Sequence, residues 1–536
     1  MTAGSRPATM RTVRLAAIDL GTNSVHMVIA EVTPEGRITV VDRVKEMVRL
    51  GRHAFITGRL SPETMTMATR ALRTFGQLAR ARRVRRLRAV ATSAVREARN
   101  GAAFVRRLTR ETGLPVEVIS GPDEARLIYR AARHALGLLG GPHLLVDVGG
   151  GSVELSLVQD GRALWMRSLP LGVARLTEQF LHRDPPSAGQ VRALEVHVDE
   201  AVGELLLRAR RAGAVQAVGT SGTVNTLVQM ALAARGEDPG RLHGASAPAF
   251  EIARVRRRVL EVGAGERAEL PGMDAKRVDL MPAAVVLLDV ILSRAGGLDL
   301  VACSWALREG VLLELARFGG ERSPATETGR RRSVEVLAKR FALGGNGHGR
   351  QVAHLAAQLY TALAPDLGLP PDGRELTEYA ALLHDIGHAI DHDRHHRHTA
   401  YLVQNSELLG FTPTEVTVLA LAARGHRKQA PKMSDPELQP LPPAARRLVR
   451  GIAACLRVAD ALDRTHLGVI KNVEVVRPRG QVLIRADPGG EDAELELWAA
   501  ERRVDLLSRL LDRPVVLRLR RGRSRAPLRP AATAAR

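Results

Sequence analysis

The sequence has few cysteines, few aromatic residues and no long apolar run. Only Cys303 and Cys455 occur in 536 residues, too few for a disulfide framework, which favours a reducing, cytoplasmic compartment. The longest apolar stretch, Leu280 to Leu292, is interrupted by Asp289 and is shorter than the roughly 20 residues of a transmembrane helix. The first residues lead into a strand-like run, so we expect neither a secretory signal nor a membrane protein.

Acidic residues are outnumbered by basic ones, and the formal net charge is +22. Because Lys and Arg neutralise phosphates, this charge predicts a polyanionic partner. The sequence has only 8 Phe, 4 Tyr and 3 Trp on which bases could stack, which disfavours single-stranded nucleic acid. The best candidate surface for nucleic acid is RARRVRRLR (80–88), for which a solvated helix face is the alternative.

Two polar motifs of the same kind follow apolar strands in the first half of the chain. One apolar run ends in Asp19 before GTNS (21–24), and another ends near Asp147 before GGGS (149–152). A second strand-like run follows each motif, so each predicts a β-hairpin with a polar tip. Small residues let backbone amides approach phosphate, and each Asp can bind a metal. The pair predicts two related halves facing one cleft.

A third Gly-rich strand end, GTSG (219–222), precedes a helix whose first amides could hold an anion. Helical patterns are predicted at about 62–80, 100–112 and 281–294, between strand-like runs. This alternation of strands and helices predicts an α/β architecture.

Seven motifs occur in one order over about residues 13–315. They are AAIDLGTNSVHMVI, ATSAVREARN, ISGPDEARLIYRA, LLVDVGGGSVELSL, LPLGVARL, AVGTSGTVNTL and CSWALREGVL. Together they resemble the exopolyphosphatase and guanosine pentaphosphate phosphohydrolase family. The resemblance implies an actin-like (ribonuclease H-like) phosphatase core of two α/β domains, which we expect at 1–128 and 129–320, and a homodimer.

The resemblance also implies roles for individual residues. Glu124 would be the catalytic base that orients water for attack on a terminal phosphoryl group, with Asp123 as its competitor. Arg96 would supply a cation to that group, although it could equally form a surface ion pair. Asp19 and Asp147 would bind Mg²⁺. The residues implied to hold phosphate oxygens are Gly21, Thr22, Asn23, Ser24, Gly149, Gly150, Gly151 and Ser152, with Gly219, Thr220, Ser221 and Gly222 of the third loop.

The second half of the chain has a different pattern. Residues 321–333 are polar and basic, which predicts a linker, and the apolar pattern over 331–473 is helical throughout. LLHDIGHAI followed by LRVADALDRTH resembles the HD-domain phosphohydrolases. Imidazole and carboxylate side chains suit a divalent transition metal, so a second phosphohydrolase site is a hypothesis. The ligands predicted are His354, His384, Asp385, His395, His426 and Asp460, with His398 as the alternative to His395.

The end of the chain predicts a small α/β unit and a tail. Strands are expected at VEVVRP, GQVLIRAD, AELELWA and PVVLRLR within 474–520, with a helix through ERRVDLLSRLL. The Pro-, Ala- and Arg-rich residues 521–536 are expected to be disordered.

The leading functional prediction is release of terminal phosphate from inorganic polyphosphate, with Mg²⁺ in the actin-like cleft. Hydrolysis of guanosine pentaphosphate in the same cleft is the open alternative, because both substrates offer a phosphoanhydride to one water-orienting carboxylate. A kinase-like ATPase and a nucleic-acid-binding protein are less favoured. A polymer that is phosphate throughout accounts for both the +22 charge and the few aromatic residues.

Overall fold

The computed structural model of the chain describes residues 12–33, 38–52, 54–138, 141–237, 240–317, 329–341, 347–406 and 408–520. It separates into two compact units, Met1–Gly329 and Arg330–Arg536. The predicted tail at 521–536 and residues 321–328 of the predicted linker lie outside the described residues. The finer division into domains stays a prediction.

The first sheet of unit 1 has five strands in the order β3-β2-β1-β4-β5. Its first three strands are antiparallel neighbours, and β4 and β5 continue parallel to β1. The strands are β1 Val13–Leu20, β2 Ser24–Val32, β3 Ile38–Met47, β4 Arg86–Ala91 and β5 Val116–Val118. The helices are α1 Ala54–Thr57, α2 Pro62–Ala81, α3 Ser93–Glu97, α4 Gly101–Thr112 and α5 Gly121–Leu136.

The second sheet of unit 1 has six strands in the order β10-β11-β9-β6-β7-β8. Strands β6, β7 and β8 are antiparallel, whereas β9 and β11 run parallel to β6. The strands are β6 Pro142–Val148, β7 Val153–Gln159, β8 Arg162–Leu169, β9 Gln216–Thr220, β10 Ser246–Ala247 and β11 Leu300–Ala302. The helices are α6 Val173–Phe180, α7 Ala188–Arg211, α8 Ser221–Ala233, α9 Ala249–Glu261, α10 Ala264–Ala268, α11 Met281–Arg294 and α12 Leu307–Arg317.

The two sheets repeat one topology. Read as β8-β7-β6-β9-β11, the second sheet has the same antiparallel trio followed by two parallel strands, with β10 added at its edge. This duplicated ribonuclease H-like sheet is the actin-like fold that the sequence resemblance implied. The helices predicted at 62–80, 100–112 and 281–294 form as α2, α4 and α11.

The longest apolar run in the sequence is a helix of the protein core. Helix α11 is buried on nearly all sides because it packs against α7 and α9 in the second half of unit 1. Its one charged interruption, Asp289, accepts an ion pair from Arg256. None of the helices in the described part of the chain has the length and apolar character needed to cross a bilayer.

Unit 2 is mainly helical and ends in a three-stranded sheet of order β12-β13-β14. Its helices are α13 Gly329–Phe341, α14 Gly347–Leu367, α15 Gly373–Leu383, α16 His395–Gln404, α17 Pro413–Arg424, α18 Pro443–Ala461, α19 Glu494–Glu501 and α20 Asp505–Leu511. The strands are β12 Asn472–Val476, β13 Val482–Asp487 and β14 Val515–Leu519. One continuous hydrophobic core joins the helices to this sheet.

The structure corrects two local predictions for this part of the chain. AELELWA, predicted as a strand, forms α19, in which Glu496 is buried (1% exposed) and accepts a 2.7 Å hydrogen bond from Thr465 Oγ1. The described end of the predicted linker, 329–333, is helical in α13. There Arg330 forms ion pairs with Glu415 and Glu375, which a free linker would not make.

Close packing at Gly172 holds the second hairpin tip in place. A Cβ at this position would lie 2.2 Å from the backbone nitrogen of Gly151, so no side chain fits there without moving the tip. We expect Gly172→Ala to lower the free energy of unfolding by about 1–3 kcal/mol, the usual range for overpacking. Gly189→Ala is the control, because a Cβ there meets nothing within 4 Å. Thermal unfolding of both variants checks this, and equal melting temperatures would contradict it.

Candidate functional site

A cavity of about 250 Å³ lies where the hairpin tips of the two halves of unit 1 meet. Its walls include both tips, the start of α8 and Glu124 of α5. The structure therefore brings most of the predicted site residues together. Those lining the cavity are Asp19, Gly21, Thr22, Asn23, Ser24, Glu124, Asp147, Gly149, Gly150, Gly151, Ser152, Ser221 and Gly222.

The two hairpin tips have the same backbone turn. Gly21 N donates to Ser24 O (3.1 Å), and Gly149 N donates to Ser152 O (3.0 Å). The tips also touch, since a Cβ on Gly150 would lie 2.9 Å from the Cβ of Thr22. Glycine at position 150 therefore leaves room for the side chain of Thr22 on the first tip.

The start of α6 orients the peptides of the second tip. The amides of Val173 and Ala174 and the Nε of Arg175 donate to the carbonyls of residues 149–151, at 2.9 to 3.0 Å. The carbonyl and the following amide of a trans peptide point in opposite directions. The amides of residues 150–152 are therefore directed away from α6, and such convergent amides can hold an anion.

Three carboxylates are buried around this cavity. Burial raises the pKa of Asp19 to about 7 against the opposing charge of Arg308, and burial also raises the pKa of Asp147. Burial raises the pKa of Glu124 to about 7 as well, while Arg96 opposes the rise. Oδ1 of Asp19 has no hydrogen-bond partner among the described residues. Carboxylates packed this closely favour a cation or a proton between them.

Helix α5 places Glu124 and Asp123 in different surroundings. Its N-cap Ser120 accepts a hydrogen bond from Asp123 N, and Asp123 itself pairs with Arg126 (3.0 Å) at the surface. Glu124 is only 6% exposed and reaches the cavity. Of the two candidate bases, the structure therefore brings Glu124 to the site.

The structure gives Arg96 a different partner from the predicted one. Its Nη1 donates to Glu124 Oε2 (2.9 Å) and to the carbonyl of Ile119 (3.0 Å), and Arg96 does not line the cavity. Arg96 thus contacts Glu124, the candidate base, and its contact with a transferring phosphoryl group stays a prediction.

The structure places two residues of the third loop outside the cavity. Gly219 and Thr220 do not line the cavity, and the Thr220 hydroxyl donates to Asp147.

Three basic residues that were not predicted as site residues also line the cavity. They are Lys45 of β3, Arg277 before α11 and Arg308 of α12. Burial lowers the pKa of both Lys45 and Arg277. A Cβ on Gly222 would lie 1.9 Å from Nη2 of Arg277, so this glycine is what lets the guanidinium approach the third loop.

Equivalent positions in the two halves carry different titratable residues, a histidine in one and a glutamate in the other. In the β1–β2 pair Asp19 lies opposite His26, and in the β6–β7 pair Asp147 lies opposite Glu154. His26 receives a hydrogen bond from Arg308, and burial together with Arg308 lowers its pKa to about 2. Burial and the charge of Glu124 raise the pKa of Glu154 well above its usual value. Alignment of DLGTNSVH with DVGGGSVE would have revealed this pair.

The Arg-rich segment 80–88 is partly engaged by contacts within the protein. Arg82 pairs with Asp42 (2.9 Å), and Arg88 pairs with Glu117 (2.9 Å) and with Glu314. These pairs involve two of the six arginines in the segment, so they neutralise part of the surface that was the best candidate for nucleic acid.

A second group of titratable side chains lies in unit 2. It brings together the predicted residues His384, Asp385, His395, His426 and Asp460. Nε2 of His384, His395 and His426 each lies 3.4–3.6 Å from a carboxylate oxygen of Asp385. Nε2 of His384 is also 3.6 Å from Oδ1 of Asp460. We call this group the His/Asp cluster, and His348 and His388 complete it.

The structure contradicts the prediction for His354. That side chain is exposed and contacts Asn472 and Gln358, while His348, at the start of the same helix, lies 3.3 Å from Asp460. The alternative ligand His398 also lies outside the His/Asp cluster, with its Nε2 4.0 Å from Asp391. His354 on α14 and His398 on α16 each lie on a part of their helix that does not face the carboxylates of the cluster.

Hydrogen bonds orient two imidazoles of the His/Asp cluster. Nδ1 of His384 and Nδ1 of His426 contact the backbone carbonyls three residues earlier, at 2.7 and 2.6 Å. A carbonyl only accepts, so Nδ1 carries the hydrogen and Nε2 of a neutral ring presents its lone pair to the cluster. Nδ1 of His395 contacts both the carbonyl of His392 and the guanidinium of Arg427, and its Nε2 lies 3.1 Å from Nε2 of His426.

Comparison with known proteins places this fold and site in one class. The model of the Ppx/GppA phosphatase family matches residues 28–317, and the model of Ppx/GppA phosphatase, domain III, matches residues 330–479. The protein is a phosphoanhydride hydrolase with an actin-like core. Since the first match alone spans more than half of the sequence, the chain belongs to the Ppx/GppA phosphatase family.

Solved structures of this family resemble the chain over part of its length. An exopolyphosphatase from Cytophaga hutchinsonii is 28% identical with a TM-score of 0.54, over 57% of this chain and 100% of that one. The Aquifex aeolicus member of the Ppx/GppA family is 28% identical with a TM-score of 0.51, over 58% and 100%. An exopolyphosphatase-like protein is 30% identical with a TM-score of 0.52, over 57% and 98%.

The ion pair between Arg96 and Glu124 gives a pH prediction. Arg96 opposes the rise in the pKa of Glu124, so Arg96→Gln should raise that pKa further. A base must be deprotonated to act, so the acidic limb of kcat/KM should move to higher pH, with a larger loss at pH 6 than at pH 8. Arg106→Gln, an exposed cation of α4, is the control. A uniform loss at every pH would contradict this role.

Proposed function

We propose that the chain removes the terminal phosphate of inorganic polyphosphate and releases orthophosphate. The observation that carries this proposal is the arrangement of the unit 1 cavity. A buried carboxylate, Glu124, faces glycine-rich tips and the cations Lys45, Arg277 and Arg308. Such a site can hold a polyanion by its phosphates while one carboxylate acts on water.

Glu124 suits the part of a general base. Burial brings its pKa to about 7, and a base is most effective when its pKa is near the working pH. Arg96 holds the carboxylate at 2.9 Å and thereby fixes its direction. In the proposed reaction Glu124 accepts a proton from the attacking water, while the cations bind the oxygens of the phosphate chain.

The residues present fit a divalent cation. Asp19 has a buried oxygen with no partner among the described residues, and Asp147 lies in the same cavity. Both pKa values are raised by burial, as expected for carboxylates that share a site for a positive charge. Asp19 and Asp147 would hold Mg²⁺, which would neutralise charge on the phosphate chain when bound.

The composition of the cavity favours polyphosphate over guanosine pentaphosphate. Among the described residues that line it, none is Phe, Tyr or Trp, so it offers no aromatic platform for a guanine base. The cations that line it recognise phosphate in either substrate. Hydrolysis of guanosine pentaphosphate in this cavity is therefore the alternative that a direct comparison of substrates must test.

Removing the proposed base should abolish turnover while leaving the fold intact. We expect Glu124→Gln to lower phosphate release by about 10²–10⁴-fold, the usual contribution of a general base. Asp123→Asn is the matched control, since Asp123 precedes Glu124 on α5 but pairs with Arg126 at the surface. Circular dichroism verifies folding. Wild-type turnover by Glu124→Gln would refute the assignment.

The same variants should be assayed with both substrates side by side. We expect faster phosphate release from long-chain polyphosphate than from guanosine pentaphosphate, because the cavity binds phosphates and has no platform for a base. Both activities should be lost in Glu124→Gln. Efficient hydrolysis of the nucleotide with no release from polyphosphate would make the alternative function the correct one.

We propose, in addition, that the His/Asp cluster of unit 2 binds a divalent transition metal and can support a second phosphohydrolase activity. Nε2 of His384 and Nε2 of His348 are buried without a hydrogen-bond partner among the described residues. Asp463 contacts Nδ1 of His348 at 2.8 Å, an outer carboxylate of the kind that orients metal-binding imidazoles. The metal, when bound, would activate water or polarise a phosphoryl oxygen.

Metal content tests this second site. Purified wild-type protein should contain a divalent transition metal that is lost from the double variant His384→Ala, Asp385→Ala, because both side chains belong to the cluster. His354→Ala is the control, since His354 is exposed and contacts Asn472 and Gln358 rather than the cluster. Elemental analysis gives the readout. Equal metal content in all three proteins would leave the cluster with a structural role.

A further inference from the structure

Unit 2 contains a basic cavity of about 440 Å³ that neither active-site proposal uses. Its lining includes residues from the start of α16, the end of α17 and the segment that follows. The titratable side chains are His396, Arg397, Arg424, Arg427, Lys428, Asp435 and Glu437. We call it the basic pocket. Four permanent cations face two carboxylates, so the lining has an excess of positive charge.

The two carboxylates are already engaged within the protein. Glu437 pairs with Arg424 at 2.8 Å, and Asp435 Oδ2 accepts a 2.9 Å hydrogen bond from Lys432 N. Arg397 and Lys428 form no ion pair in the described part of the chain, and both are exposed at the pocket. Two cations are therefore left for a ligand of opposite charge.

A buried polar atom also points to a ligand. His396 lines the basic pocket and is only 6% exposed, yet its Nδ1 has no hydrogen-bond partner among the described residues. Leaving such an atom without a partner costs free energy, so most buried polar groups in proteins are paired. The imidazole of His396 thus forms a polar part of the wall beside the cations, which would donate charge-assisted hydrogen bonds to an oxyanion in the pocket.

The basic pocket lies directly beside the His/Asp cluster. Nη1 of Arg427, which lines the pocket, is 3.1 Å from Nδ1 of His395, which belongs to the cluster. His396 follows His395 on α16, and their rings are 5.9 Å apart. A group held in the pocket would thus be next to the atoms that face Asp385.

We propose that the basic pocket binds a phosphate or pyrophosphate group, and that a ligand so held is presented to the His/Asp cluster. The binding of the anion stands on the pocket alone, whereas its presentation rests on the proposed metal site. The ligand would be either inorganic pyrophosphate or the phosphates of a nucleotide, since the cations of the pocket recognise the oxygens that both share.

Calorimetric titration of the full-length Glu124→Gln protein tests the pocket without turnover. Inorganic pyrophosphate and ADP are titrated separately in buffer free of divalent metal. We expect the added double substitution Arg397→Gln, Lys428→Gln to weaken one class of binding site at least about tenfold, because charge-assisted hydrogen bonds are lost. Tighter binding of pyrophosphate would assign the inorganic ligand, and tighter binding of ADP would assign a nucleotide.

Two controls separate this site from the unit 1 cavity. Arg485→Gln with Arg518→Gln removes two exposed cations from the small sheet of unit 2 and should leave binding unchanged. Arg277→Gln should weaken only the other class of site. With Glu124 intact, Arg397→Gln, Lys428→Gln should release phosphate from polyphosphate at the wild-type rate. Unchanged affinity and stoichiometry for both ligands in this double variant would overturn the proposal.

Discussion

Burial of carboxylates is the constraint around which unit 1 is built. Asp19, Asp147 and Glu124 line one cavity, Glu154 lies opposite Asp147 in the β6–β7 pair, and burial raises the pKa of each of the four. Only opposing charge allows such a group to stay ionised in the folded protein. Arg308 opposes the rise at Asp19 and Asp147, and Arg96 opposes it at Glu124. The glycine-rich tips then place amides where further negative charge can be held.

The sequence was enough to predict the features of unit 1 that depend on residues close together in the chain. Each polar tip lies between two apolar strands, so the hairpins of Asp19 and Asp147 and the α/β architecture followed from pattern alone. The cations were not predictable in the same way. Lys45, Arg277 and Arg308 come from a strand, a loop and a helix far apart in the chain, and only the packed halves bring them to one cavity.

The errors in unit 2 have a common physical origin. A pattern of residue types does not show which face of a helix meets the core. His354 and His348 both lie on α14, yet only His348 points at Asp460. In the same way, AELELWA was predicted as a strand, whereas it forms a helix that buries Glu496. Tertiary contacts decided each case, and no local signal carried them.

The pairing of His26 and Glu154 across the duplicated hairpins gives the unit 1 cavity an electrical direction. Around His26 the nearest influences are Arg308, Lys45 and Arg277, whereas around Glu154 they are Glu124 and Asp147. Positions that the duplication made equivalent therefore lie among cations in the first hairpin and among carboxylates in the second. The two halves of the site consequently act differently on an anion, although their backbones repeat one pattern.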